Sequence, residues 1–355
     1  MKHPLPILVV ILLLLALGSW AMLRITGDGA TLVIVQSEPQ GIMGTDSKLM
    51  LVTERSRSAA ARRHLDAAEA ELRQLEAQLS TWIEASAISR FNAAPAGQRL
   101  TPGPEVTRIL TLARQFHIDT RGAFDITARP MIELWRQAGD NGSPPSIEAL
   151  RVARAESNWG QIHQVTDGIV KDLPTTRVDV DGIAKGWAID RALEELARAG
   201  AAGGMVEVGG DLRLFGTGPQ GRPWTVAIQS PFADVAWGEI EPGDGAVCSS
   251  GDYARPILID GHHFSHIIDP RTGRPTERTH AVTVLGPDAA TADAWATALS
   301  ILGVEGLDLL LPGSGLEAMI VTGDANDHQV TSTPGFRRRI VQSDFSPIER
   351  AGSGS

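Results

Sequence analysis

The sequence predicts an α+β fold of largely antiparallel sheets with helices packed against them. Three observations lead there. Strand-like stretches cluster in runs and do not alternate strictly with helical ones. Glycine turns separate several of them, and Asp260-Gly261 is a hairpin signal between Ile257-Leu-Ile and Phe264-Ser-His-Ile-Ile. Helical periodicity is confined to a few segments. The 355 residues suffice for one large domain or two medium ones, and no long linker divides the chain after residue 30. One domain is therefore expected over 30–345, preceded by a membrane segment at 1–24 and followed by a flexible tail at 346–355.

The first segment, residues 4–23, is almost wholly apolar, with Lys2 before it and Arg24 after it. A run of about 20 apolar residues can span a bilayer, and a basic start followed by an apolar stretch is also a secretory signal. Trp20 and Met22 stand where cleavage needs small residues, so an uncleaved anchor is the preferred reading. Either way the positive end stays inside and the remainder is expected outside the cytoplasm.

Thr31–Gln36 and Lys48–Thr53 read as strands, broken by Gly44-Thr45. Residues 57–79 predict an amphipathic helix, with Leu65, Leu72, Leu75 and Leu79 on one face. A second helix is expected from Pro104, since proline suits a first turn, and a surface loop over 137–147. Residues 163–180 read as short strands, as do stretches of 203–218, 224–229 and 280–285; 291–302 reads as a helix.

Composition narrows the function. The net charge of −10 argues against a nucleic-acid binder, which would carry a basic face. Cys248 is the one cysteine, so internal disulfides and cysteine-rich metal sites are excluded, and burial as an inert thiol is expected of it. Tyr253 is the only tyrosine, beside eight tryptophans.

Three stretches could carry chemistry. In 177–200, Val178 and Val180 alternate as in a short strand ending near Asp179, Gly182 and Gly186 bracket a turn, and Ile189, Leu193 and Leu196 continue at helical spacing to Gly200. Strand, turn and helix in that order leave N–H groups at a helix start, where an anion can bind, and Lys185 adds positive charge. The same pattern also serves as an ordinary connection. In Thr291–Thr297, Asp293 and Thr297 share a helix face and could both offer oxygen to a hard cation, or Thr297 could simply be back-bonded. In 262–273, His262, His263 and His266 cluster, but no His-Glu-x-x-His motif supports zinc. An imidazole such as His266 can take a proton from an attacking hydroxyl.

Taken together these stretches resemble the FAD:protein FMN transferase (ApbE) family. Asp179-Val-Asp-Gly-Ile-Ala-Lys-Gly-Trp-Ala-Ile-Asp190 is similar to its Asp-Leu-Gly-Gly-Ile-Ala-Lys-Gly-Tyr-Ala-Val-Asp signature, with Asp181 where glycine is usual. His266-Ile-Ile-Asp-Pro-Arg-Thr-Gly273 matches in full, and Thr291-Ala-Asp-Ala-Trp-Ala-Thr297 closely, although some members carry an acid at the position of Ala296. Met43-Gly-Thr45, Leu79–Asn92 with Trp82 in place of tyrosine, Ala123-Phe-Asp125 and Cys248–Tyr253 add weaker matches, in family order from about 40 to 305.

The resemblance implies an ApbE-like, T-fold-related domain and an Mg²⁺-dependent transferase. Such an enzyme cleaves FAD and attaches FMN through a phosphoester to a Thr or Ser of a flavoprotein, releasing AMP. It implies Mg²⁺ on Asp293, Thr297 and the Gly182 carbonyl. It implies FAD contacts at Met43, Trp82, Ala123, Phe124, Asp125, Asp179, Lys185, Ser250, His266 and Ile267, with His266 as base and Asp179 and Lys185 beside the chemistry. Acceptors are expected among flavoprotein subunits of membrane redox complexes, at the cytoplasmic membrane facing the periplasm or cell exterior. An FAD pyrophosphatase giving FMN and AMP, or a non-enzymatic periplasmic flavin-binding protein, are the alternatives.

Overall fold

The structure is a computed structural model, and it describes residues 31–251, 257–276, 279–345 and 347–349. The expected membrane segment at 1–24 lies outside those residues. Among the described residues no helix is long and apolar enough to cross a membrane.

In chain order the N-terminal half contains β1 (Leu32–Ser37), β2 (Ser47–Glu54), α1 (Ser58–Leu79), α2 (Ala87–Ala93), α3 (Pro104–Asp119), α4 (Arg129–Asn141), α5 (Ile147–Glu156), β3 (Ile162–Val165) and β4 (Gly168–Lys171). Then follow α6 (Asp181–Ala197), β5 (Gly203–Val208), β6 (Asp211–Gly216), β7 (Val226–Gln229), β8 (Ala236–Ile240), β9 (Gly245–Gly251), β10 (Ile257–Ile259), β11 (His262–Phe264), β12 (Ile268–Asp269) and β13 (Arg274–Pro275). The chain closes with β14 (Thr279–Gly286), α7 (Ala289–Leu302), β15 (Glu317–Gly323), β16 (His328–Ser332), α8 (Pro334–Arg337), β17 (Ile340–Ser343) and β18 (Ile348–Glu349).

Nine strands form the main sheet in the order β1-β2-β5-β6-β9-β14-β15-β16-β18. Every neighbouring pair is antiparallel except β16 with β18. Strand pairing thus continues to Glu349, past the boundary expected at 345. Alternation sends Leu49 and Leu51 to one face and Met50 and Val52 to the other, and both faces are covered. The first face packs on α1, α6 and α7. The second packs on a three-stranded sheet, β17-β8-β7. A smaller cluster joins Met131 and Trp135 of α4 to Ala153, Ile259 and Ile268.

Most expected elements appear close to their places, including α1 with its buried leucines, α3 opening on Pro104, and the β10–β11 hairpin turning on Asp260 and Gly261 at positive φ. Three expectations are corrected. The loop expected over 137–147 is confined to 142–146, since α4 runs on to Asn141 and α5 opens at Ile147; Gly139 lets Ile257 pack against α4, as a Cβ there would lie 2.9 Å from that side chain. The strand expected at Val178–Val180 is absent: residues 172–180 belong to no sheet. The turn expected between Gly182 and Gly186 is already the first turns of α6. Gly186 is there for contact, since a Cβ would stand 2.2 Å from the Ala289 carbonyl oxygen, and so α6 and α7 touch backbone to backbone.

Candidate active site

The close crossing of α6 and α7 gathers the site. Asp293, 7 % exposed, accepts a hydrogen bond from the Gly186 N–H at 3.0 Å. One turn on, the Thr297 hydroxyl oxygen would lie 3.0 Å from a Cβ on Gly182, and the Phe124 ring 3.3 Å from it. Gly182, Thr297 and Phe124 therefore meet at the start of α6, with Asp293 on the same face of α7. Ser300 is back-bonded to the Ala296 carbonyl at 2.9 Å, whereas among the described residues no such bond is seen from Thr297.

Alternation along β6 sends Leu212 and Leu214 to the apolar face and Asp211 and Arg213 toward α6. Lys185 reaches Asp211 at 2.7 Å, and Arg213 reaches Asp190 at 2.9 Å. Asp190 also accepts from the N–H groups of Ala289 and Ala290 at 2.8 and 2.9 Å, which fixes the α7 N-terminus. Burial raises the Asp190 carboxyl to about 6, against the pull of Arg213.

These charges perturb one another. Burial, then the nearby Asp211, pushes the Asp293 carboxyl up to about 7. Burial works against the Lys185 ammonium, but Asp211 and Asp293 outweigh it and hold it above its ordinary value. The Lys185 side chain remains 26 % exposed, so it can meet an anion from solvent. Cys248 is buried with its thiol toward the Ala289 carbonyl, and burial raises its pKa well above normal, as an inert thiol requires.

The approach to α6 carries the flavin candidates. Asp179 is buried; its N–H donates to the Ile126 carbonyl at 2.7 Å, and Arg129 lies 3.5 Å from its carboxylate. Arg129 is held by Glu133 at 2.7 Å, which also binds Arg177. Asp181 opens onto solvent, yet desolvation by the groups packed beneath it and the charge of Asp179 raise its carboxyl above the usual range. Trp82 is 77 % exposed, with the Arg136 guanidinium 5.8 Å from its ring centre.

Ala123 and Phe124 are buried; Asp125 caps the following turn through Thr127 at 2.7 Å and lies 3.3 Å from His117. Met43 adopts φ of 51°, a left-handed conformation uncommon outside glycine, and its N–H donates to Glu76 at 2.9 Å. Thr45, two residues on, touches Gly209 in the turn that leads to Asp211.

Ser250 sits on β9 opposite Val282. His266 occupies the bend between β11 and β12, half-buried, beside the buried Ile267. The turn that follows is fixed by Trp135, whose ring N–H donates to the Gly273 carbonyl at 2.8 Å. That turn meets the 122–125 loop, since Arg271 would lie 3.8 Å from a Cβ on Gly122. The geometry thus brings Gly182, Lys185, Asp293, Thr297 and Phe124 into one place, while Met43 and His266 stand on separate loops.

Sequence reasoning passed over Asp211, Arg129 and Asp190. For Asp211 a signal existed: it follows Gly209-Gly210 and alternates with Leu212 and Leu214. Arg129 offers none, because its partners lie elsewhere in the chain.

Among the described residues no three His, Cys, Asp or Glu side chains group as a metal would need. The oxygen set that is present is a buried carboxylate, a hydroxyl and the backbone at Gly182. Burial drives that carboxylate toward neutrality unless a cation offsets its charge, so the set fits a hard cation such as Mg²⁺.

The model of the ApbE family matches residues 43–320. An FAD:protein FMN transferase of Vibrio cholerae is 38 % identical over 240 residues, covering 66 % of this chain and 72 % of the relative. The FAD:protein FMN transferase of Escherichia coli K12 is 32 % identical over 276 residues, covering 74 % and 78 %. Among solved structures, the apo form of the Pseudomonas stutzeri flavinyl transferase ApbE superposes with a TM-score of 0.75 at 30 % identity, covering 87 % of this chain and 96 % of that one.

Proposed function

We infer the activity from one premise: this chain belongs to the ApbE family. It is an FAD:protein FMN transferase, cleaving FAD and attaching FMN through a phosphoester to a Thr or Ser of a flavoprotein, with release of AMP. The observation that carries this reading at the site is the convergence of Asp293, Thr297 and Gly182 beside the Lys185–Asp211 pair. A diphosphate needs positive charge and a hard cation, and this corner offers the Lys185 ammonium and a set of oxygens that would suit such a cation.

In the reading proposed here, Asp293, Thr297 and the Gly182 carbonyl would hold Mg²⁺, whose chemistry there would be neutralisation of pyrophosphate charge. Lys185 binds the phosphate oxygens from the exposed end of its side chain, held in place by Asp211. Asp179, fixed by Arg129, orients the flavin, with the exposed Trp82 as an apolar surface for the ring. His266 takes the proton of the acceptor hydroxyl as its oxygen bonds to the FMN phosphorus and AMP leaves. Residues 4–23 anchor the domain in the cytoplasmic membrane, with catalysis on the outer side. Flavoprotein subunits of membrane redox complexes facing that side are the acceptors.

Mass spectrometry of a candidate acceptor incubated with FAD, Mg²⁺ and this protein tests the reading. Covalent FMN on the acceptor is the expected result. Free FMN and AMP with an unmodified acceptor would make it a hydrolase, and unchanged FAD a binding module. Retention in the membrane fraction through a carbonate wash tests the anchor; a soluble mature form beginning near residue 22 to 25 would overturn it.

A further inference from the structure

Lys171 is 1 % exposed and has no carboxylate partner among the described residues. Its ammonium donates instead to three backbone carbonyls: Asn92 at 2.9 Å, Pro174 at 3.0 Å and Thr176 at 2.9 Å. The Phe91 ring lies 5.4 Å from the nitrogen. Burying a lysine costs free energy, and that burial, with Arg177 nearby, lowers its pKa to about 8. A chain that only needed apolar filling would place methionine or leucine there.

What Lys171 holds is the segment that leads to Asp179. Residues 172–180 have no strand partner, so their backbone groups need other ones. Lys171 takes the Pro174 and Thr176 carbonyls. Asn92 takes both polar groups of Val178: its side-chain amide donates to the carbonyl at 2.9 Å, and its oxygen accepts the N–H at 2.8 Å. Lys171 in turn binds the Asn92 carbonyl at the end of α2, so one cation ties α2, β4 and the 174–178 segment together. Asp179 follows directly, and α6 opens two residues later.

We propose that Lys171, acting with Asn92, is a positioning clamp that sets Asp179 and the first turn of α6 for FAD binding. It replaces the sheet pairing that this segment lacks. Lys171 touches neither FAD nor acceptor; it acts through the backbone of 174–178. The inference rests on the flavin-transferase reading above.

The test is FAD affinity, by quenching of flavin fluorescence, of the full chain and of Lys171→Met and Lys171→Gln, each normalised to folded protein. Methionine keeps the packing and removes every donor; glutamine restores two. FAD binding should weaken roughly 10- to 100-fold in Lys171→Met, with Lys171→Gln between it and the parent, and the KM for FAD should rise more than kcat falls. A purely structural lysine would lower the melting temperature and leave affinity per folded molecule unchanged, and affinity in Lys171→Met within about threefold of the parent would overturn the clamp. A parent that does not bind FAD would instead overturn the functional reading. Should neither variant fold, amide exchange in the FAD-free parent decides: Val178 and Asp179 should exchange as slowly as β2, and exchange as fast as an exposed loop would refute the proposal.

Discussion

The two faces of the main sheet use the same alternation for opposite ends. On the face toward β7, β8 and β17, Met205, Leu212, Leu214, Val247 and Met319 make an apolar layer. On the face toward α6 and α7, β6 contributes Asp211 and Arg213, and the helices answer with Lys185 and Asp190. Both layers are held by buried hydrocarbon, the helix side through Leu49, Leu51, Val206, Val284 and Ile320, but only the helix side also carries these paired charges, which would be costly if unpaired. The difference teaches where a change should cost stability and where it should cost rate.

The largest effect is expected at Asp293. Asp293→Ala should abolish Mg²⁺-dependent turnover while the protein still folds, because it removes a carboxylate that burial disfavours in its charged form. A normal rate across an Mg²⁺ titration would remove Asp293 from the site. Next comes His266→Asn, which keeps one hydrogen bond and loses the base; single-turnover transfer at saturating FAD should fall roughly 10²- to 10⁴-fold. A rate within about threefold of the parent, below the low end for a base, would sink that assignment.

Leu214→Ala provides the counterpart on the apolar face. It should cost about 2–5 kcal/mol in denaturant unfolding and leave turnover per folded molecule unchanged. A rate loss larger than the stability loss would break the division between the faces.

The smallest effect concerns His117. Its hydrogen bond with Asp125 raises its pKa above 6.5 in the folded state, partly offset by burial. The stability it contributes is therefore fully present below the unfolded value of about 6.5 and is lost as pH rises through the raised folded value. The side chain is partly exposed, so the gain is small. His117→Asn should be more destabilising at pH 5.5 than at pH 8.5, and an equal loss at both would show that the pair is not ionic.

By itself the sequence determined the elements whose cause is local. The leucine stripe of α1, the proline that opens α3 and the Asp-Gly turn of β10–β11 each depend on residues within a few positions of one another. It also singled out Asp293, Thr297, Gly182 and Lys185 as candidates, because contiguous motifs carry them. Tertiary structure alone decided how they meet. The Val178–Val180 stretch alternates as a strand does, but its hydrogen-bond partners come from Asn92 and Ile126, far back in the chain. Gly186 reads as a turn glycine until α7 is packed against it. Lys171 looks like any surface lysine, and nothing in its neighbours announces the three carbonyls that surround it. Periodicity records which side of an element faces inward; which group waits there is a non-local fact, and charged or hydrogen-bonded partners 50 or 100 positions away leave no period behind.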